Sequence, residues 1–490
     1  MRGVGAAGAE MDYEAVIGLE VHCQLLTESK IFCGCSTRFG APPNTNVCPI
    51  CLGMPGVLPA LNRRAVEFAL QAAVALSCVI QPRSIFARKN YFYPDLPKGY
   101  QISMYDRPLA TGGRLEIESG GRRKTIGLTR IHMEEDAGKL LHEGFPDSDR
   151  KSHVDFNRSG VPLIEIVSEP DLRSPEEAHD YYAALRGILV SIGVTDGNME
   201  EGSLRCDANV SLRPRGRKDL GTKAELKNLN SFKFVQHALE YEILRQTEAL
   251  ASGGRVTQET RLYDPKQDRT FSMRSKEEAH DYRYFPEPDL PPLDVDAAWI
   301  EAVRRDLPEL PAARRERFLK QYGIKDQSAQ VLTSARALAD YFEATAAAAG
   351  DAQGAANWIE TEVLRKVNEM KIGIESVPLR PERLGRLVRL VKDGTISGKI
   401  AKEIFEAIFD ANGDPDAVVR ERGVAQVSDE GPIREAIEAV LAQNPDQVAG
   451  YRGGKTALLG YFVGQVLKAT GGKANPALVN RLLKERLDRP

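Results

Sequence analysis

Residues 17–25, IGLEVHCQL, place apolar side chains at every second position, with Glu20 and His22 between them. A β-strand points successive side chains to opposite faces, so this pattern predicts a strand with one apolar and one polar face. The same alternation recurs in three further stretches, LTRIHMEED at 128–136, LRCDANVSL at 204–212 and KAELK at 223–227. Together these strands predict an antiparallel sheet that buries one face and leaves the other polar.

The polar face of this predicted sheet is rich in groups that bind metal ions. Its candidate ligands are Glu20, His22, Glu134, Asp207 and Glu225. Crowded carboxylates repel each other unless a cation offsets their charge, and oxygen ligands suit Mg²⁺, which bridges carboxylates and nucleotide phosphates. The pattern therefore favours phosphoryl transfer, which depends mainly on positioning and charge stabilisation. An ordinary solvated sheet face is the alternative, since charged outer faces are common.

Basic residues accompany the acidic ones on the same strands. The candidates for holding phosphate oxygens or stabilising developing charge are Arg130, Arg205, Lys223 and Lys227. A separate question concerns Glu135, which faces away from Glu134 if the strand is regular. A bulge at the strand end would instead bring both carboxylates to one site, and the pattern leaves both placements open.

Four cysteines form two close pairs, Cys33 with Cys35 and Cys48 with Cys51, separated by twelve residues. Two thiolate pairs at this spacing suit tetrahedral Zn²⁺. A metal would also hold in place the loop between the pairs, which is rich in turn-forming Pro and Asn. We therefore expect a structural Zn²⁺ site, the alternative being that some of these thiols are small buried apolar side chains.

The charge of the 490-residue chain is unevenly distributed. Lys and Arg number 66 and Asp and Glu number 69, a net charge of −3, whereas residues 441–490 hold eight basic and three acidic residues. A basic C-terminal segment predicts contact with a phosphate backbone. Within it, GYRGGKT at 450–456 resembles a nucleotide-binding loop, but Ala449 stands where that motif needs glycine and a helix precedes it. The candidate RNA contacts are Arg452, Lys455, Lys468 and Lys473.

Composition divides the chain into three folded parts after a short leader. Residues 1–12 lack the features of a signal peptide and predict a disordered leader, with Met11 as an alternative start. Strand-like, turn-rich sequence fills 13–292 and ends in a proline-rich run, helical patterns fill 293–412, and a last helical segment fills 413–490. No run approaches about 18 apolar residues, so no membrane span is expected. Seven cysteines without a disulfide pattern favour the cytoplasm.

Two helices are predicted within the first of these parts. Residues 174–192 begin with Ser174 as N-cap and Pro175 in the first turn, followed by apolar residues at helical spacing. A second helix is predicted over residues 231–250, beginning at Ser231. The first part therefore combines helices with a sheet.

Several longer motifs resemble the B subunit of the tRNA-dependent amidotransferase family. They are GLEVHCQL at 18–25, KNYFYPDLPKGYQIS at 89–103, HMEEDAGK at 132–139, GVPLIEIVSEPD at 160–171, RCDANVSLRP at 205–214, KAELKNLNSF at 223–232, DYRYFPEPDLPPL at 281–293 and YFVGQVLKATGGKANP at 461–476. They follow in the family's order and span nearly the whole chain, which makes the resemblance specific.

The resemblance implies an α+β fold: a glutamine-synthetase-like cradle, an all-helical domain and a small helical tail that contacts tRNA. It also implies that the chain uses ATP and Mg²⁺ to phosphorylate the side-chain carboxylate of misacylated Glu-tRNA(Gln) or Asp-tRNA(Asn). Ammonia then displaces the phosphate. In that family an amidase, the A subunit, releases the ammonia from glutamine, and an internal channel carries it. A small C subunit makes the complex a heterotrimer.

The family's active-site residues can be carried over onto this sequence. The matching positions are Glu20, His22, Glu134, Glu135, Asp207 and Glu225. Lys89 and Glu135 fall where the family's channel meets the phosphorylation site, and the four paired cysteines match a zinc site that only some members keep.

Two other functions also fit parts of the pattern. An RNA-binding scaffold would use the cysteine loop and the basic tail, with the acidic sheet as a solvated surface. A stand-alone ligase that joins a carboxylate to an amine on a small metabolite would use the acidic sheet, but it would have no need of a basic helical tail. The choice between Glu-tRNA(Gln) and Asp-tRNA(Asn) stays open.

Overall fold

The computed structural model describes residues 12–275, 282–424, 430–471 and 474–488. Residues 1–11 of the expected leader and the candidate RNA contact Lys473 lie outside these ranges. The chain divides into two compact units, residues 1–310 and 311–490. Among the helices of the described ranges, none is long and apolar enough to cross a lipid bilayer.

All strands of the described residues belong to the first unit. In chain order they are β1 (Tyr13–Gln24), β2 (Val79–Ile80), β3 (Arg83–Asn90), β4 (Tyr100–Arg107), β5 (Ala110–Ser119), β6 (Arg122–Glu135), β7 (Lys139–Leu141), β8 (His153–Asp155), β9 (Pro162–Ser168), β10 (Leu204–Pro214), β11 (Ala224–Lys227), β12 (Glu259–Asp264), β13 (Arg269–Ser275), β14 (Phe285–Pro286) and β15 (Leu293–Asp294). The four stretches that alternate in sequence are β1, β6, β10 and β11, as predicted.

The helices of the first unit are α1 (Arg63–Ala75), α2 (Pro175–Ser191), α3 (Phe232–Ala251) and α4 (Ala297–Asp306). The second unit is helical throughout its described residues. Its helices are α5 (Pro311–Tyr322), α6 (Asp326–Leu332), α7 (Arg336–Ala349), α8 (Ala352–Trp358), α9 (Leu364–Met370), α10 (Pro381–Lys392), α11 (Gly398–Ile408), α12 (Pro415–Arg422), α13 (Glu430–Gln443), α14 (Pro445–Arg452), α15 (Leu458–Ala469) and α16 (Pro476–Leu487). A π-helical segment, Ile359–Val363, joins α8 to α9, and Ile374–Ser376 forms a 3₁₀ turn.

Most strands join one large sheet in the order β13-β12-β11-β10-β1-β9-β6-β4-β3-β14. β5 pairs with β6 and β2, β15 pairs with β3, and β7 and β8 form a separate two-stranded sheet. The sheet is mixed rather than wholly antiparallel, because β11 and β12 run parallel. A parallel pair needs a long crossover, and α3 supplies it by lying between these two strands in the chain. The predicted α+β class is confirmed.

Helices cover the apolar face of the sheet. α1 contacts β6, α2 contacts β5 and α3 contacts β10. In β1 the apolar side chains of Leu19, Val21 and Cys23 are fully buried, whereas Glu20 and His22 between them stay partly exposed. The alternation therefore separates a packed face from a polar face, and the polar face carries the candidate site.

The first unit extends beyond the boundary expected after residue 292. α4 belongs to it because this helix contacts α1, with the Arg63 guanidinium 4.9 Å from the Trp299 ring. In the second unit, one hydrophobic core runs from Phe318 to Val419 and a separate one from Ile433 to Leu487. α12 thus packs with the preceding helices.

One buried hydrogen bond joins β1 to the last residue of β9. The Leu19 N–H donates to Ser168 Oγ at 2.9 Å, and both residues are buried. We expect Ser168→Ala to lower the free energy of unfolding by about 1–3 kcal/mol, because it leaves the Leu19 N–H without a partner. Urea unfolding followed by circular dichroism measures this change.

Ser191→Ala is the matched control for that measurement. Ser191 is equally buried, but its hydroxyl bonds only the Ile188 carbonyl of its own helix. We expect a smaller loss of stability, and equal effects of the two substitutions would contradict the account.

Candidate active site

Three strands bring His22 of β1, Glu134 of β6 and Glu165 of β9 together at the centre of the polar face. His22 Nε2 lies 3.3 Å from Glu165 Oε2 and 3.7 Å from Glu134 Oε1. One ligand atom from each residue lies within 4.8 Å of the other two. Ligands about 2.1 Å from one Mg²⁺ ion are at most about 4.2 Å apart, so small side-chain shifts would let the three share an ion.

Strand register explains why Glu165 lies at this point. It is the cross-strand partner of His22 in the β1–β9 pair and of His132 in the β6–β9 pair. His132 Nε2 is 3.6 Å from Glu165 Oε2, and an Arg130 guanidinium nitrogen is 3.7 Å from Glu165 Oε1. Burial raises the pKa of Glu165, but His132, His22 and Arg130 outweigh it and hold that pKa well below its usual range. Glu165 is therefore ionised and available as a ligand.

A second acidic group lies beside the first, toward β11. Glu20 and Asp207 are cross-strand partners in the β1–β10 pair, and Glu225 is the partner of Asn209 in the β10–β11 pair. Lys227 Nζ lies 2.6 Å from Asp207 Oδ2 and 3.2 Å from Glu225 Oε1, and the Asn209 amide donates to Glu20 Oε1 at 2.9 Å. All five acidic and histidine residues predicted from alternation thus share one face.

The electrostatics of this face reflect an excess of negative charge. Burial raises the pKa of Glu20, and the charges of Glu165, Asp207 and Glu225 raise it further. Burial lowers the pKa of His22, but its hydrogen bond to Glu165 and the neighbouring carboxylates outweigh this and raise it to about 9. Carboxylates and a histidine that gain or keep protons in this way form a site that a divalent cation would stabilise.

Two of the basic residues predicted on this face, Arg205 and Lys223, differ in their partners and exposure. An Arg205 guanidinium nitrogen lies 3.0 Å from Asp136 Oδ2, which also accepts a hydrogen bond from Gln24 at 2.8 Å. Lys223 is exposed and, with Glu20, lines a cavity of about 240 Å³. Arg205 is therefore held by a buried carboxylate, whereas Lys223 is accessible to an incoming phosphate.

Glu135 lies in a separate environment from its neighbour Glu134. The end of β6 pairs regularly with β9, so successive side chains point to opposite faces. The Glu135 carboxylate pairs with Lys98 and accepts the Ile102 N–H at 2.9 Å. Lys89 Nζ lies 5.0 Å from the ring centroid of Tyr282. The roles of Glu135 and Lys89 stay predictions.

The four paired cysteines come together as the spacing predicts. Cys33, Cys35, Cys48 and Cys51 each place a sulfur within 4.8 Å of the others, and none forms a disulfide. The Cys48 N–H donates to Cys51 Sγ at 3.2 Å. The pKa of the Cys51 thiol is lowered because Cys33 hydrogen-bonds to it, with the Cys48 N–H and the charge of Lys30 acting in the same direction. Four sulfurs in this arrangement could hold a tetrahedral Zn²⁺.

The described part of the basic tail carries several exposed cations. Arg452 at the end of α14, Lys455 in the following turn and Lys468 of α15 are exposed. Arg481 and Arg486 of α16 form ion pairs with Glu430 and Glu438 of α13. Three of the four residues predicted to contact RNA are thus exposed. The GYRGGKT segment begins inside the last turn of α14, so a helix and not a strand leads into it, unlike a nucleotide-binding loop of the usual kind.

Sequence reasoning did not assign several residues of the site. They are Glu165, Asp136, Lys98, Asn209 and Lys30. Glu165 carried a signal, because it is the one charged residue of β9, whose other residues are apolar except Ser168. His132 lies on the same face because the β6–β9 register pairs it with Glu165.

Comparisons with protein families match almost the whole chain. A model described as the GatB/GatE catalytic domain matches residues 15–301, and one described as a GatB domain matches residues 340–487. The matched regions lie on either side of the division after residue 310.

Curated relatives match over their full length and are named as the B subunit of the aspartyl/glutamyl-tRNA(Asn/Gln) amidotransferase. The protein from Solidesulfovibrio magneticus is 58% identical over 475 residues, covering 97% of this chain and 99% of its own. The proteins from Geobacter sulfurreducens and Moorella thermoacetica are 57% and 58% identical, each over 97% of this chain and 100% of their own length.

Removing Glu165 tests the metal site directly. We expect Glu165→Gln to weaken Mn²⁺ binding, used as a stand-in for Mg²⁺, by about tenfold or more, because an anionic ligand is lost. Isothermal titration calorimetry on the full chain measures the dissociation constant. Glu169→Gln is the control, since Glu169 follows β9 and bonds Thr129 outside the cluster. Unchanged Mn²⁺ affinity in Glu165→Gln would remove Glu165 from the site.

Proposed function

The chain belongs to the GatB family, the B subunits of tRNA-dependent amidotransferases, and we propose that it converts misacylated Glu-tRNA(Gln) or Asp-tRNA(Asn) into Gln-tRNA(Gln) or Asn-tRNA(Asn) in two steps. An oxygen of the side-chain carboxylate first attacks the γ-phosphorus of ATP, and ADP leaves. Ammonia then attacks the carbonyl carbon of the acyl phosphate, phosphate leaves as the C–O bond breaks, and the nitrogen loses a proton. A carboxylate is a poor acyl donor, so activation by phosphate makes amide formation possible.

The observation that carries this proposal is the pair of acidic groups on one sheet face. His22, Glu134 and Glu165 would hold one Mg²⁺, and Glu20, Asp207 and Glu225 would hold a second. Bound there, Mg²⁺ would neutralise and orient the ATP phosphates. Phosphoryl transfer requires this positioning and no nucleophilic side chain.

The cations of the same face would contact the transferred phosphate and the nucleotide. Lys223 lines a cavity next to Glu20 that is large enough for part of ATP. Lys227 lies between Asp207 and Glu225, where it would stabilise charge that develops on the phosphate oxygens. Arg205 would act mainly by fixing the strand ends, because Asp136 already engages its guanidinium.

Ammonia would come from a partner amidase, the A subunit, and the heterotrimer would also include a small C subunit. The cavity that holds the Lys98–Glu135 pair is a candidate end for an ammonia channel, since it holds about 200 Å³ and lies beside β6. Lys89 on β3 would act with Glu135 where this channel meets the phosphorylation site. The tail would hold the tRNA through Arg452, Lys455 and Lys468.

The acidic pair Glu20 and Asp207 gives the first test of the reaction. We expect Glu20→Gln or Asp207→Asn, in the assembled enzyme, to lower the rate of ATP-dependent amide formation about 10²-fold or more. Each change removes an anionic ligand of the Mg²⁺ that would offset the phosphate charge. Affinity for misacylated tRNA should change less than about twofold. Single-turnover assays with labelled aminoacyl-tRNA give the rate, and filter binding gives the affinity.

Glu14→Gln is the matched control for this test. Glu14 lies on the same strand but pairs with Arg213, outside the cluster, so its loss should leave the rate near that of the unmodified enzyme. Normal amidation by both Glu20→Gln and Asp207→Asn would overturn the metal assignment.

The tail gives the second test. Replacing Arg452, Lys455 and Lys468 together by Ala should weaken tRNA binding and reduce the slope of log Kd against log salt by roughly two to three units, about one per lost phosphate contact. Binding titrations at several salt concentrations measure this slope.

A triple Ala replacement of Arg434, Arg481 and Arg486 is the control, because these arginines are ion-paired with acidic residues. It should change the slope by less than about one unit. Equal slopes for all three proteins would remove the tail from tRNA binding.

A further inference from the structure

Lys30 is a fully buried lysine with no carboxylate partner among the described residues. Its Nζ lies 3.5 Å from Cys51 Sγ and 3.2 Å from the Phe156 carbonyl oxygen. No carboxylate in the described parts of the chain forms an ion pair with it. A buried ammonium group is strongly disfavoured unless an anion lies next to it, so the surroundings of Lys30 must supply negative charge.

The group beside Lys30 that can carry this charge is the sulfur of Cys51. Cys51 is itself buried, and its sulfur already accepts the Cys48 N–H at 3.2 Å. The backbone fixes Lys30 to the same loop, because its N–H donates to the Cys35 carbonyl at 2.9 Å. A neutral thiol would leave the ammonium uncompensated, whereas a metal-bound thiolate would pair with it.

The net charge of a metal centre with four thiolate ligands suggests the role of Lys30. Four thiolates and one divalent cation carry a net charge of −2, which is costly in a buried loop. One ammonium group beside one of the sulfurs reduces the net charge of the site from −2 to −1. We propose that Lys30 is the counter-cation of a tetrathiolate metal centre and raises its affinity for the metal by donating a hydrogen bond to Cys51 Sγ. The proposal concerns the metal centre alone and holds whatever reaction the sheet catalyses.

The same centre forms one wall of the cavity that contains the Lys98–Glu135 pair. Lys30, Cys51 and Gly53 line that cavity together with Lys98 and Glu135. Gly53 has a φ of +66°, and a Cβ added to it would collide with the Lys98 side chain. The cysteine loop therefore packs directly on the stem of Lys98, so that a loaded metal centre also fixes the position of Lys98.

Zinc affinity of the full chain is the first test. We expect Lys30→Met, which keeps most of the side-chain length but loses the charge, to raise the dissociation constant for Zn²⁺ about 10- to 100-fold, as loss of a group that hydrogen-bonds a metal ligand does. Lys30→Arg should restore most of this affinity, and Cys51→Ser serves as the reference for a lost ligand. Competition with a chromophoric chelator gives the constants, and circular dichroism confirms that each variant is folded.

A second measurement uses the unmodified protein and does not depend on any variant folding. Lysine acetylation followed by mass spectrometry should leave Lys30 unreacted in the zinc-loaded chain and modified after chelation. Lys151 is exposed and should react equally in both. Wild-type zinc affinity in Lys30→Met, equal labelling of Lys30 in both forms, or a chain that binds no Zn²⁺ would overturn the proposal.

Discussion

The pairing of β1 with β10 on one side and β9 on the other is the constraint on which the rest of the site depends. It places Glu20 beside Asp207 and His22 beside Glu165, at strand spacings of about 4.8 Å. Carboxylates held so close cannot move apart, because the opposite face of each strand is packed under helices. Protons and basic side chains such as Lys227 offset part of this repulsion, and in the proposed function Mg²⁺ would offset the rest.

The last two residues of β6 illustrate how one strand serves two environments. Glu134 faces His22 on the polar face of the sheet, and Glu135 faces Lys98 in the cavity beside the cysteine loop. In the proposed function these would be the places where phosphate is transferred and where ammonia arrives. Strand alternation alone keeps the two carboxylates apart while they remain neighbours in the chain.

Much of this arrangement could be predicted from sequence, because it depends on local patterns. Alternation identified β1, β6, β10 and β11 and the shared face of Glu20, His22 and Glu134, and Ser174 and Ser231 marked the helix starts. What could not be predicted depends on contacts between distant segments. Glu165 lies in an apolar strand, and a lysine such as Lys30 is usually exposed, so neither could be assigned before the register and the packing were known.

The parallel pairing of β11 with β12 and the end of the first unit also depend on contacts between distant segments. Four residues of β11 give no sign of the direction of β12, which is set by the α3 crossover. The proline-rich run ends the alternating sequence pattern, but two short edge strands, β14 and β15, still pair with β3 there. Beyond them, α4 packs on α1 through Arg63 and Trp299. A change of composition therefore marks a change of secondary structure, and the unit ends only where tertiary packing ends.

Anomalous X-ray diffraction from crystals of the assembled enzyme, soaked with Mn²⁺ and a non-hydrolysable ATP analogue, would show where metal and nucleotide bind. We expect one Mn²⁺ peak among His22, Glu134 and Glu165 and a second among Glu20, Asp207 and Glu225, with the γ-phosphate between them. Nucleotide and metal bound elsewhere, with this sheet face empty, would contradict this expectation.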